Sequence, residues 1–179
     1  LPEISRAQLF CPEHGSLLLE LAAGVNPAVA LAAGTGAAFA GTTGNLAYQL
    51  FNTGVDANKA VLASGTIDPN YDLVSVPSGP SVALAMDAHP VWVANSSDSK
   101  WIGPLADGQA TSPAGNYVYS YTFDLTNYFA STANITGRWA TDNNAQMTLN
   151  LNGVSTTPAE GFKGWTNFVL NKGFVAGTN

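Results

Sequence analysis

Apolar and polar residues alternate strictly over two consecutive runs near the C-terminal third of the chain. Ala133, Ile135, Gly137 and Trp139 fall on one side of the first run, and Asn134, Thr136 and Arg138 on the other. In the second, Met147, Leu149 and Leu151 alternate with Thr148, Asn150 and Asn152. A period of two marks strands with one buried and one wet face. Thr141-Asp142-Asn143-Asn144 joins the runs; its residue types tolerate left-handed backbone and bond their own main chain, so it reads as a turn. Ile135, Trp139, Met147, Leu149 and Leu151 are therefore expected to share one core, with Arg138, Thr148 and Asn150 outside it.

The same texture runs back to residue 41. Short apolar alternations predict strands near 46–51, 60–64, 71–76, 82–86, 91–94, 117–123, 133–140, 147–151 and 166–170, with another beginning at Phe174. Pro69-Asn70, Pro77-Ser78-Gly79-Pro80, Asp107-Gly108, Pro113-Ala114-Gly115 and Asn152-Gly153 punctuate them. No helical period holds over three turns, and no repeat of 20–50 residues is visible. The expected fold is all-β, an antiparallel β-sandwich of jelly-roll type spanning 41–179.

The first 40 residues read differently. Residues 17–40 are almost wholly small and apolar and end in Ala38-Phe39-Ala40 before Gly41, the outline of a secretory signal peptide. Glu20 and Asn26-Pro27 interrupt that run, and an alanine-rich helix packed on the domain is the alternative. Residues 1–40 are thus expected to be an extension, cleaved or packed. A stable membrane span is not expected, because the apolar run is too broken.

Several segments resemble a known domain type. GRWATDNNAQMTLNLNG (137–153), LFNTGVDANKAVLASGTIDPNYDLVS (50–75), WVANSSDSKWIGP (92–104), GNYVYSYTFDLT (115–126) and GFKGWTNFVLNKGFVAGTN (161–179) resemble secreted bacterial galactose-binding-like or carbohydrate-binding-like β-sandwich domains, many of them in proteins with a PEP-CTERM sorting tail. The resemblance implies an exported or cell-surface location. It also implies a further strand after the Gly177-Thr178-Asn179 corner, so that this sequence would lack the last strand of the sandwich.

Composition narrows the chemistry. Only 10% of residues are charged and the net charge is −6, with six Lys and Arg scattered singly. Nucleic acid, which demands basic patches, is excluded as a partner. One cysteine, Cys11, rules out an internal disulfide and a multi-cysteine zinc site. A glycosidase needs two carboxylates flanking a bond. After residue 40 there is one glutamate, Glu160, and the aspartates are spread through turns. A serine triad needs a histidine, and the one after residue 40, His89, precedes Pro90 in an expected loop. The chain is therefore read as non-catalytic.

Asp56, Asp68 and Asp72 form the nearest acidic cluster in sequence and are the candidate ligands of a structural calcium ion, such as β-sandwich carbohydrate-binding domains often carry. No other cofactor is expected. Tyr117, Tyr119, Tyr121 and Phe123 line one face of a strand and are expected in the core. Trp101 and Trp165 lie instead beside polar loops. A sugar site combines rings that stack on a pyranose with amides that bond its hydroxyls. Asn95, Asp98, Trp101, Asp142, Asn143, Asn144 and Trp165 are the candidate ligand-binding residues on that basis. Two functions stand: a binding module for glycan or exopolysaccharide, and a structural surface or matrix protein making protein–protein contacts.

Overall fold

The computed structural model describes residues 7–11, 16–22, 50–126, 128, 130–150, 154–155 and 161–179. Among the described residues, ten strands form two antiparallel five-stranded sheets. In chain order they are β1 (Ala7–Cys11), β2 (Ser16–Ala22), β3 (Asp72–Ser75), β4 (Leu84–Ala85), β5 (Ile102–Gly103), β6 (Tyr117–Tyr121), β7 (Ile135–Asp142), β8 (Gln146–Leu149), β9 (Val154–Ser155) and β10 (Thr166–Leu170). The first sheet has the order β3-β6-β1-β8-β9 and the second β10-β7-β2-β5-β4. The protein is all-β: the described residues hold one short 3₁₀ turn (Ala130–Thr132) and no helix long and apolar enough to cross a membrane.

One hydrophobic cluster draws on both sheets. Leu73, Tyr117, Tyr119, Met147 and Leu149 come from the first; Leu17, Ile102, Ile135, Trp139, Phe168 and Leu170 come from the second. The aromatic face of β6 thus enters the core as its alternation predicts. The two alternating runs meet there too, yet not as a hairpin: β7 belongs to the second sheet and β8 to the first. The polar connector after Asp142 carries the chain from one sheet to the other, so Trp139 and Met147 share the core between sheets rather than a cross-strand pair. Leu151 lies outside the described residues.

Asn150 corrects the simple alternation. It is buried, because β8 ends at Leu149 and the backbone turns at Asn150 with a φ of +52°. Its amide nitrogen donates to the Gly173 carbonyl and to Asn179 Oδ1, both at 2.8 Å. Asn179 is itself buried and exchanges backbone hydrogen bonds with Phe123 in both directions.

Other expected strands are loops. Residues 91–94 follow Pro90, which sits second in a turn closed by Trp92 N–H donating to the His89 carbonyl at 2.9 Å. Val61 makes only an isolated bridge to Val55, and Phe174 starts no strand, although Thr178 bridges Asp124. Residues 46–49 lie outside the described residues.

The largest departure is at the N-terminus. β1 pairs with β6 on one side and β8 on the other. β2 pairs with β7 from Ser16↔Asp142 to Ala22↔Thr136, and with β5 through Leu17↔Ile102. The first strands are therefore central in both sheets, and the sheets cross the boundary expected at residue 40. Residues 17–22 of the apolar segment form a strand, whereas a leader or packed helix was expected; residues 23–40 lie outside the described residues. A cleaved leader would remove the middle of each sheet.

Leu17 and Leu18 are neighbours in sequence, and both are 0% exposed. Leu17 enters the core between the sheets, while Leu18 joins a smaller cluster with Met86, Ala140 and Trp101. At Leu17 and Leu18 β2 is thus buried on both faces, with Met86 and Trp101 packed over Leu18.

Asp68 anchors the long connection before β3. Only 3% exposed, it accepts the backbone N–H of Gly54 at 2.6 Å through one oxygen, and those of Asn70 at 2.8 Å and Tyr71 at 3.2 Å through the other. Burial raises its carboxyl above the ordinary value of 3.8, against the pull of those three donors. The folded state therefore holds this proton more tightly than the unfolded chain. Its charge costs stability at neutral pH, and the cost is relieved as pH falls through the raised value toward 3.8. Relative to Asp68→Asn, the wild-type midpoint should rise between neutral pH and about pH 4; thermal melts that diverge in the opposite direction would contradict the assignment.

Candidate functional site

The outward face of β7 organises what lies above the second sheet. Alternation puts Thr136, Arg138, Ala140 and Asp142 on that face, opposite Ile135 and Trp139. Ala140 lies under the smaller cluster with Leu18 and Trp101. Asp142, at the strand's end, lines a cleft of about 320 Å³.

Three loops sewn together by backbone hydrogen bonds build this cleft on the end of β7. Asp87 N–H donates to the Ala106 carbonyl at 3.1 Å, and Gly108 N–H returns to the Asp87 carbonyl at 3.0 Å. No side chain fits at Gly108, where a Cβ would lie 2.6 Å from the Asp87 oxygen and 2.7 Å from the His89 nitrogen. Val93 N–H donates to the Phe162 carbonyl at 2.8 Å, and Thr141 N–H to the Gly161 carbonyl at 3.3 Å. These contacts bring together His89, Trp92, Asp107, Gln109, Thr111, Ser112, Asp142, Asn143 and Phe162 as polar and aromatic lining.

The rings are backed from below. Trp92 packs on the buried Trp101 with centroids 4.7 Å apart, and lies 5.7 Å from His89 and 6.4 Å from Phe162. His89 Nδ1 accepts the Val91 N–H at 3.2 Å. Asp107 Oδ1 accepts the Gln109 N–H at 2.9 Å and fixes the carboxylate at the tip of its turn. Asp142 is 5% exposed, whereas Asn143 is half-buried and Asn144 exposed.

The residues singled out in the sequence separate into three places. Asp142 and Asn143 line the cleft. Asp98 lies in a second groove of about 490 Å³ with Asn52, Arg138, Asn167 and Val169. Beside it, the Arg138 guanidinium stands 4.3 Å from the Trp165 ring centre, so Trp165 meets a cation of this chain.

Asn95 and Trp101 are structural. Trp101 is 0% exposed; its indole N–H donates to the Val93 carbonyl and its backbone N–H to Asn95 Oδ1, both at 2.8 Å. Asn95 Nδ2 also reaches the Met86 carbonyl at 3.2 Å. Trp101 was expected to stack on a ligand, but it offers no open face and instead supports Trp92. Gln109, Phe162, Trp92 and His89 also line the cleft and are not among the candidate ligand-binding residues read from the sequence. The signal available for them was the pair of turns at His89-Pro90 and Asp107-Gly108, which local sequence marks only as chain reversals.

The calcium ligands are not gathered. Asp56 Oδ1 accepts the N–H groups of Asn58 and Ala60, at 2.8 and 2.9 Å, inside its own loop. Asp68 is occupied as described and Asp72 is exposed. Among the described residues no three His, Cys, Asp or Glu side chains stand close enough to hold a metal ion.

No family model, curated protein or solved structure matches the chain.

Proposed function

We propose that the protein is an exported, non-catalytic binding module for glycan or polysaccharide, built as a jelly-roll sandwich of the galactose-binding-like kind. The cleft beside Asp142 is the observation that supports this reading. It is large enough for a small saccharide unit, at the lower end of ordinary ligand sites of about 300–1,000 Å³. Trp92 and Phe162 supply planar apolar faces for the C–H side of a sugar ring. Asn143, Gln109, Thr111 and Ser112 supply amides and hydroxyls for its alcohol groups. The cleft rests on a rigid sheet through Trp101, Leu18 and Ala140, so its shape is set before a ligand arrives.

A shallow, polar site buries little area, so one module binds weakly. Intact protein should be retained on a polysaccharide panel. Trp92→Ala should remove that retention, and Gln109→Ala should weaken it by up to about tenfold, one hydrogen bond's worth. Gln109 is exposed, so its loss should leave the thermal midpoint unchanged. Retention that survives both substitutions moves the site elsewhere. If the intact domain retains no polysaccharide, the alternative of a surface or matrix protein making protein contacts takes its place.

A further inference from the structure

We infer that the cleft selects amine-bearing, cationic sugars over acidic ones, a reading that rests on the glycan function proposed above. Among the described residues, the ionisable ones lining it are His89, Asp107 and Asp142, with no Lys or Arg. Uronates, sulfated sugars and phosphosugars are held by the planar fork of arginine or the point charge of lysine. This cleft offers them the exposed carboxylate of Asp107 instead.

Two lysines stand near the cleft. Lys100 Nζ sits 3.2 Å from an Asp87 oxygen that also accepts the Ser64 hydroxyl, so its charge is matched outside the cleft. Lys163 Nζ lies 5.7 Å from the centre of the Phe162 ring. That ring thus already takes a cation on one face. Trp92 is the second ring of the cleft, and indole is the best of the aromatic side chains for a cation. A protonated amine on a sugar stacked at Trp92 can therefore meet an aromatic face and the exposed carboxylate of Asp107 in the same cleft. The carboxylate is held in place by the Gln109 N–H, so little side-chain ordering opposes the contact.

Calorimetric titration with three trisaccharides tests this: a glucosamine trimer, its N-acetylated counterpart and a galacturonate trimer, at a pH just below neutral where the amines are protonated. The glucosamine trimer should bind roughly fivefold tighter than the neutral one, and the galacturonate trimer weakest. Asp107→Asn should bring the first two near parity. Asp124→Asn, an equal change of charge at an exposed aspartate outside the cleft, should leave the preference intact. Equal affinities in the wild type, tighter galacturonate binding, or an Asp124→Asn effect as large as that of Asp107→Asn overturns the charge selection and leaves the glycan site standing. Failure of all three sugars to bind overturns the glycan reading and this inference with it.

Discussion

Removal of residues 1–40 is expected to leave a chain with no cooperative unfolding transition. β1 lies between β6 and β8, and β2 between β7 and β5, so the deletion exposes four strand edges at once. Each edge is a row of unpaired N–H and C=O groups that must find water or another chain. Leu17 and Leu18, both 0% exposed, leave with β2. Two buried leucines alone account for about 4–10 kcal/mol on the scale of large-to-small core changes. That is comparable to the whole stability of an ordinary domain, about 5–15 kcal/mol. Far-ultraviolet circular dichroism and a thermal melt of 41–179 check the result. A truncated chain that melts cooperatively at the wild-type midpoint would mean that the first 40 residues are dispensable, as a cleaved leader would be.

Trp101→Ala should lower stability by about 3–5 kcal/mol, the usual cost of deleting a buried aromatic side chain. In a chain of this length that corresponds to a fall of roughly 6–20 °C in the thermal midpoint. The indole is 0% exposed, and its loss leaves the Val93 carbonyl without its 2.8 Å donor. It also removes the ring on which Trp92 rests, so saccharide binding should weaken together with stability. Trp92→Ala should separate the two, because Trp92 is only half-buried: binding is lost and most of the stability remains. Loss of binding by Trp101→Ala at an unchanged midpoint would contradict this and would restore Trp101 as a ligand-contacting residue.

How far the sequence revealed this fold depends on how each strand is buried. β6, β7, β8 and β10 were legible. Met147 and Leu149 alternate with Thr148, and Phe168 and Leu170 with the exposed Asn167 and Val169. The period-two signal shows faces but not neighbours, so nothing local revealed that β7 and β8 sit in opposite sheets. β2 was hidden for the converse reason. A strand buried on both sides reads as a continuous apolar run, and Leu17-Leu18-Leu19 has the composition of a leader's apolar stretch. β4 falls within the strand expected near 82–86, whereas β5, two residues long, is too short to show any period.

The site was legible in part, and on physical grounds. Asp142 and Asn143, which line the cleft, stand out in the sequence because a polar turn at a strand end is a local feature. Trp101 was misread because a polar loop precedes it, yet Asn95 and Ser96 turn their side chains back on the backbone of that loop and draw the ring inward. Trp92, Gln109 and Phe162 come from three loops that meet only through long-range backbone hydrogen bonds, which no local pattern records.

Amide and indole chemical-shift mapping during titration with a neutral oligosaccharide tests the proposed glycan site most directly. The account predicts saturable shifts at the Trp92 indole and at the amides of Gln109, Thr111, Asn143 and Phe162, with Arg138, Asn167 and Val169 unmoved. Shifts concentrated in the groove at Arg138 and Asn167, or none anywhere under saturating sugar, would contradict it.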